Sequence, residues 1–219
     1  MNRWQLLEGL DPPDARAVLA AATPRRLPPY VNIYEQSQSA SNVFLLSTGR
    51  ARYFSMTPDG RKMLLHWLVP GDTLGLAAIL QATAHYRVSA ETVRESSVLV
   101  WSRQVMLSLM NEYPRLLHNA LTVGVGYLDL YIAAHAALVS DTAKQRLAAV
   151  LVRLTDSIGH EVSDGVQLEV TNEELASAAN ITLFTASRIL SKWQAEHALT
   201  KRRGRIILHS PKRLLKLTA

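Results

Sequence analysis

The chain has 219 residues and a mass of 24.3 kDa, and 48% of its residues are hydrophobic while 19% are charged. This composition is typical of a globular protein with one large core or two smaller ones, and it excludes a wholly disordered chain. The sequence contains no cysteine. Disulfides, cysteine-ligated zinc, cysteine-held iron–sulfur clusters and thiol nucleophiles are therefore excluded.

Positive charge is concentrated at the C-terminal end of the chain. Residues 182–219 carry nine basic side chains and one acidic side chain, a net charge of +8, whereas residues 1–181 carry 15 basic and 17 acidic residues, a net charge of −2. This asymmetry indicates a polyanionic partner at the C-terminal end, with a merely solvated charged face as the alternative.

The first half of the chain has the pattern of a small β domain. Asp11 and two prolines predict the start of a short helix, after which residues 25–103 break into short alternating segments separated by turn residues. The predicted strands include Val43–Leu46, Arg50–Phe54, Lys62–Leu68, Val88–Val93 and Val98–Trp101. Turn signals at this spacing favour an antiparallel barrel or sandwich.

A long helix is predicted from Pro114 to Ser140, because a proline is allowed in the first turn and none follows within the segment. Apolar and small residues recur along it at spacings of four and three: Leu117, Leu121, Gly124, Leu128, Tyr131, His135 and Leu138. Such a heptad stripe favours pairing with a second copy in a homodimer, although a helix packed on its own barrel would show the same stripe.

No uninterrupted run of about 18 to 20 apolar residues is present, so we expect no membrane span. The N-terminal residues also lack the apolar region and cleavage site of a secretory signal, because Glu8 falls within them. A cytoplasmic location follows as an expectation.

Three further helix starts are predicted near the C-terminal end. Asp141 is a candidate N-cap for a helix over Thr142–Ser157. Thr171 begins a Thr-x-x-Glu capping box, and Thr182 is a candidate cap for a helix that reaches about His197. The last two helices are separated by only a tight turn, in which Asn180 is an acceptable left-handed residue. This is the spacing of a helix-turn-helix.

The second helix of this pair has the two faces that DNA recognition requires. Ala186, Ile189, Leu190 and Trp193 form its apolar side, while Arg188 on the polar side can make a bidentate contact to guanine. Hydroxyl groups on the same side can bond phosphates, and the ring of Phe184 can pack on a thymine methyl.

A basic hairpin follows, because Lys201–Arg205 precedes the apolar run Ile206–Leu208. It can lie on a phosphate backbone as a wing, with an ordinary surface hairpin as the alternative. Helix-turn-helix, hairpin and local charge occur together and predict binding of double-stranded DNA. The candidate DNA-binding residues are Thr171, Thr182, Phe184, Thr185, Ser187, Arg188, Ser191, Lys192, Arg202, Arg203 and Arg205.

The chain resembles Crp/Fnr-type bacterial transcription regulators over nearly its whole length. The resemblance is carried by Thr171–Ala176, by Thr185–Leu190 and by Pro70-Gly71-Asp72-x-x-Gly75. It implies an α+β fold with a cyclic-nucleotide-binding-like β-roll in residues 1–113, a dimerisation helix in residues 114–140, and a winged helix-turn-helix in residues 141–219. It further implies a homodimer on a palindromic operator and RNA polymerase as a partner.

The residues that match the family's effector pocket are Gly75, Leu76, Arg87, Val88, Tyr131 and Ile132. In cAMP-binding members the resemblance places a glutamate at Leu76, a serine at Val88 and a Thr-Ser pair at Tyr131 and Ile132. The loss of these polar groups removes several hydrogen bonds, so we do not expect cAMP as the effector. Two alternatives stay open: an apolar pocket for an unknown small molecule, and a pocket filled by its own side chains.

Two other features bear on function. His66, His85, His118 and His135 allow haem as a minor alternative, although histidines at such positions usually serve packing or lie on the surface. Phe184 stands where the family has a glutamate that contacts cytosine, so we expect an altered operator.

No enzymatic motif and no metal site is predicted from the sequence. A different class of function also stays open: a small-molecule-sensing module whose basic C-terminal domain serves protein contacts or non-specific polyanion contacts.

Overall fold

The computed structural model describes residues 4–57, 59, 60 and 62–216. Its α-helices are α1 Pro12–Ala20, α2 Arg103–Glu112, α3 Pro114–Ser140, α4 Ala143–Ile158, α5 Asn172–Ala178, α6 Leu183–Ala195 and α7 Pro211–Lys216. Its strands are β1 Thr23–Leu27, β2 Asn32–Tyr34, β3 Asn42–Thr48, β4 Ala51–Met56, β5 Lys62–Leu68, β6 Thr73–Leu74, β7 Ser89–Thr92, β8 Ser96–Ser102, β9 His160–Val162, β10 Gly165–Leu168, β11 Leu199–Arg202 and β12 Arg205–Leu208.

The chain forms two compact units, of which the first ends at Leu130 and the second begins at Tyr131. The division falls inside helix α3. The first unit contains two antiparallel four-stranded sheets, with strand orders β1-β8-β3-β6 and β2-β7-β4-β5. The predicted α+β class with an N-terminal β-roll is therefore confirmed.

Aromatic side chains fill part of the interior of the roll. The rings of Tyr34 and Tyr86 stack with centroids 4.0 Å apart, and Phe44 lies 5.4 Å from Tyr34. The Tyr86 hydroxyl donates to the carbonyl oxygen of Asn42 at 2.9 Å and accepts from the Asn42 amide at 3.1 Å. Burial raises the pKa of both tyrosines. The Tyr86 side chain thus bonds both the backbone N–H and the backbone carbonyl of Asn42, and this holds the aromatic cluster against β3.

The turn that leads to Gly75 is shaped by buried polar contacts and by glycine. Asp72 accepts a hydrogen bond from the Val69 amide at 2.8 Å, and burial raises the pKa of this carboxyl group to about 6. Gly75 has a φ of 76°, and a Cβ there would lie 2.7 Å from the carbonyl oxygen of Asn42 and 3.2 Å from the rings of Phe44 and Tyr86. Only glycine fits both the backbone conformation and the space.

A buried acidic group joins the strands of the second sheet. Glu91 on β7 pairs in register with Arg52 on β4, and the Arg52 Nη2 lies 2.6 Å from its carboxylate. Lys62 also contacts this carboxylate and lies over the ring of Phe54. Burial raises the pKa of Glu91, but the hydrogen bonds from Lys62 and Arg52 outweigh that effect and lower it overall. The pairing thus compensates the desolvation of the charge.

The second unit has the elements of a winged helix. Sheet order β11-β12-β10-β9 accompanies α4, α5 and α6. One predicted cap is wrong: Thr142, not Asp141, caps α4, because the Asp141 amide still donates to the carbonyl oxygen of Ala137 in α3. Thr142 instead forms a capping box with Gln145, whose side chain accepts from the Thr142 amide at 2.8 Å.

The sequence predicts no membrane span, because it contains no uninterrupted run of about 18 to 20 apolar residues. Helix α3 is nevertheless long and apolar enough, by length and mean hydropathy alone, to cross a membrane. Polar residues such as Asp129 and His135 interrupt its apolar residues. Core helices of water-soluble proteins are often as long and as apolar, so this feature is weak evidence for a membrane.

We predict that Gly75→Ala costs about 3 kcal/mol of unfolding free energy, because the new methyl group meets both a strained φ and the Asn42 carbonyl. Gly60→Ala is the matched control, because Gly60 also has a positive φ but no described residue lies within 4 Å of the position that a Cβ would take. It should cost about 1 kcal/mol. Urea denaturation of the two variants measures the difference, and equal losses would contradict the crowding at Gly75.

Candidate nucleic-acid interface

Helices α5 and α6 are joined by the predicted tight turn. Thr171 and Glu174 form the capping box at the start of α5, with bonds of 3.1 Å and 2.8 Å to each other's backbone amides. Asn180 has a φ of 48°, which confirms its left-handed conformation. The Ile181 amide then donates to the carbonyl oxygen of Ala176, so the chain closes the turn before α6 begins.

The inner face of α6 is packed against the rest of the second unit. Ala186, Leu190 and Trp193 have no solvent exposure, and Ile189 is half-buried. Ala176 on α5 and Ala179 directly after it are buried, and these small side chains allow the two helices to approach closely. This packing fixes the direction in which the opposite face of α6 points.

The start of α6 is fixed by Thr182, whose Oγ1 accepts from the Thr185 amide at 3.1 Å. The two threonine hydroxyls also lie 2.9 Å apart. The sequence placed Thr185 on the outward face, but its side chain is half-buried and its hydroxyl bonds within the cap. The Thr185 hydroxyl therefore helps to fix the start of α6, and the residue lies on the side of the helix that is predicted to face DNA.

The outward face of α6 carries the other predicted residues. Phe184, Arg188, Ser191 and Lys192 are exposed, and Ser187 is half-buried. Phe184 is the most exposed of the apolar residues here, with 77% of its surface accessible. The face therefore combines a cation, hydroxyl groups and an unpartnered aromatic ring.

Strands β11 and β12 form the wing. Arg202 pairs with Arg205 across a two-residue turn, and Gly204 in this turn has a φ of 69°. Arg202, Arg203 and Arg205 are all exposed. The side chains of Lys212, Arg213 and Lys216, which also contribute to the C-terminal charge, lie outside the described residues.

One link between wing and helix was not predicted from the sequence. The Lys201 ammonium donates to Ser191 Oγ at 3.0 Å, and the Lys201 amide donates to Gln194 Oε1 at 3.0 Å. Lys201 thus attaches the wing to α6. The sequence places Lys201 only at the start of the basic hairpin, and the folded hairpin shows that its side chain meets α6.

A surface groove of about 370 Å³ runs between the starts of α5 and α6 and the wing. It brings together residues that are distant in sequence, including Thr171, Leu183, Lys201, Arg202 and Arg203. Cationic and hydroxyl groups in one groove are suited to bonding a phosphate backbone.

The predicted effector residues are divided between the two units. Leu76 and Val88 pack against the core of the first unit, and Arg87 is exposed. Tyr131 and Ile132 belong to the second unit.

The four histidines that suggested haem do not share one environment. His66 packs edge-on against Tyr127, with ring centroids 5.8 Å apart, while His85, His118 and His135 are exposed. Within the part of the chain that the structure describes, no group of three or more histidine or acidic residues could hold a metal ion.

The winged helix-turn-helix and the β-roll together define a DNA-binding transcription regulator. Residues 24–113 match the cyclic nucleotide-binding domain model, and residues 145–217 match the Crp-like helix-turn-helix domain model. The chain belongs to the Crp/Fnr family of transcription regulators.

Similar proteins agree with this assignment. The transcriptional activatory protein AadR of Rhodopseudomonas palustris is 26% identical over 212 residues, which cover 96% of this chain and 87% of AadR. The FixK2 structure from Bradyrhizobium japonicum matches with a TM-score of 0.78 and 23% identity over 90% of this chain and 98% of FixK2. The c-di-GMP-responsive regulator CLP of Xanthomonas campestris has a TM-score of 0.81 and 20% identity over 91% of this chain and all of CLP.

We predict different effects for two exposed arginines. Arg188→Ala should relax base preference at one position of the bound site and cost about 1–3 kcal/mol there, because a bidentate base contact is lost. Arg203→Ala should weaken binding to all sequences alike and reduce the slope of log affinity against log salt by about 1, because a phosphate contact is lost.

Fluorescence anisotropy with matched and mismatched duplexes, each titrated at several salt concentrations, separates the two effects. A uniform loss for both variants would contradict the assigned role of Arg188.

Proposed function

We propose that the protein binds a palindromic operator as a homodimer whose two copies pair through helix α3. The observation that carries this proposal is the exposed apolar face of α3. The predicted residues Leu117, Leu121, Leu128 and Leu138 are all exposed, and Leu128 exposes 57% of its surface. An apolar stripe of this length in contact with water is unfavourable unless a second surface covers it.

The stripe extends beyond the residues that the sequence indicated. Val125, Ile132 and Val139 are also exposed, with 58% of Ile132 and 83% of Val139 accessible. These residues continue the spacing of three and four along the helix, as expected for a face that pairs with another helix.

The two glycines in α3 support the same arrangement. A Cβ built at Gly124 or Gly126 would have no neighbour within 4 Å among the described residues. Glycine costs roughly 1 kcal/mol in a helix interior, and packing within one chain offers no reason for it here. A second copy of α3 that approaches closely at Gly124 supplies that reason, and His135 then lies further along the same interface.

The operator follows from this symmetry. A twofold pair of α6 helices places Arg188 and Ser187 of each copy in successive major grooves, so the half-sites lie about one helical turn apart. The wing arginines Arg202, Arg203 and Arg205 contact the flanking phosphates. RNA polymerase is the expected protein partner, the site of action is the cytoplasm, and the protein acts by binding and not as an enzyme.

We infer that cAMP is not the effector. Leu76 offers no acceptor for a ribose hydroxyl, and it packs against the core of the roll. Beside it, Phe44 and Tyr86 occupy the space next to Gly75. These contacts favour the alternative in which the roll is filled by its own side chains over a pocket for another small molecule, and they give haem no support. An iron–sulfur cluster held by cysteine is excluded by composition.

Leu128→Glu tests the interface. The variant should be largely monomeric at micromolar concentrations where the unchanged protein is dimeric, because two carboxylates would be buried across the twofold axis. Sedimentation velocity measures the change, and circular dichroism should be unaltered because residue 128 is exposed. Asp129→Ala is the matched control, since Asp129 is exposed on another side of the same turn. A dimeric Leu128→Glu variant would contradict pairing through this face.

Selection of bound fragments from random duplex DNA, without any added effector, tests operator binding. We expect an enriched palindrome with half-sites about one helical turn apart, and the affinity should change less than about twofold when cAMP is added. Enrichment that requires cAMP would contradict the inferred filling of the roll. Retention that falls with salt without any sequence preference would favour the alternative of non-specific polyanion contacts.

A further inference from the structure

An apolar side chain lies near the start of the outward face of α6, because Phe184 is the second residue of this helix. Successive helical residues are about 100° apart around the axis. Arg188 and Ser191 therefore lie within about 40° of Phe184, whereas Ala186, Leu190 and Trp193 lie on the opposite, buried side. The ring of Phe184 thus lies on the proposed DNA-binding face, near the N-terminal end of the helix.

This ring contributes little to packing among the described residues. It is 77% exposed, and the neighbouring Leu183 is 46% exposed. The surrounding interface is polar and basic, with Lys201, Arg202 and Arg203 lining the adjoining groove. An exposed aromatic ring within a basic DNA-binding surface is stabilised only if the DNA supplies an apolar group for it to contact.

The major groove of DNA offers one apolar group at a base edge, the C5-methyl group of thymine, and 5-methylcytosine presents the same group. A phenyl ring has no donor or acceptor for the remaining base-edge atoms. We propose that Phe184 recognises a C5-methylated pyrimidine in each half-site, one or two base pairs from the guanine contacted by Arg188. This inference rests on the proposed operator binding and adds a specificity-determining residue to it.

The expected loss of affinity follows from the removal of a single methyl group from the base. Replacing thymine by uracil removes only the methyl group and leaves base pairing and all hydrogen-bonding groups unchanged. The loss of one buried methyl contact should weaken binding about fourfold for one half-site and on the order of tenfold for both.

The experiment uses the full-length protein and the operator recovered by selection. Each thymine of the half-site is replaced in turn by deoxyuridine, and the dissociation constant is measured by fluorescence anisotropy at fixed salt. We expect one position in each half-site at which replacement of thymine by uracil lowers the affinity about fourfold. Cytosine placed at that position should bind as weakly as uracil or more weakly, and 5-methylcytosine should recover about fourfold of the affinity.

Three protein variants test whether Phe184 is the side chain that contacts the methyl group. Phe184→Ala should bind the thymine and uracil operators equally, and its thermal midpoint should be unchanged because the ring is exposed. Arg188→Ala is the matched control from the same face; it should bind more weakly but keep the uracil penalty. Leu183→Ala should also keep the penalty.

Three results would overturn the inference. In the first, the unchanged protein binds the thymine and uracil operators with equal affinity at every position. In the second, the loss of affinity caused by uracil persists in Phe184→Ala, and in the third it disappears only in Leu183→Ala. Each leaves the proposed operator binding intact, because a palindrome has by then been enriched. If no sequence is enriched at all, operator binding and the inference that rests on it both fail.

Discussion

The burial of one face of helix α6 is the interaction on which the DNA-binding surface depends. Ala186, Leu190 and Trp193 lose all contact with solvent, and this packing orients every side chain on the opposite face. The left-handed turn at Asn180 allows α5 and α6 to meet with few connecting residues. Lys201 then attaches the wing to α6, so helix and hairpin approach a duplex as one rigid surface. A base contact needs this rigidity because hydrogen bonds to base edges depend on direction.

Helix α3 combines two different environments along its length. Near its start, Leu116 and Ala120 are buried in the core of the first unit, and the Asn119 amide group donates to the carbonyl oxygens of Leu6 and Glu8 at 2.9 and 2.8 Å. Leu117 and Leu121 in the same turns are exposed, and the exposed apolar face continues along the rest of the helix. The first unit therefore buries one face of the start of α3 and leaves a second apolar face uncovered, which explains both the hydropathy of the helix and the proposed pairing.

The β-roll has the family's fold, but Leu76 stands where the resemblance places an acidic side chain of cAMP-binding members. The space next to Gly75 is occupied by Phe44 and Tyr86. Tyr86 also bonds both backbone groups of Asn42, so it cannot move aside without breaking two hydrogen bonds. In the proposed filled roll, these contacts stabilise the first unit and with it the start of α3.

Local sequence patterns are sufficient to predict the features that depend on neighbouring residues: the capping box at Thr171, the cap at Thr182, the left-handed Asn180 and the apolar spacing of α3. Such signals are local because caps, turns and helical faces involve residues only a few positions apart. The prediction of Asp141 as the cap of α4 is wrong because Asp and Thr both suit this position, and only the hydrogen bond from the Asp141 amide to the preceding helix decides it. Tertiary structure alone decided which side chains fill the roll and that Lys201 meets α6, since those contacts join residues far apart in sequence or on different elements. Their formation depends on how the elements pack together, which no local pattern encodes.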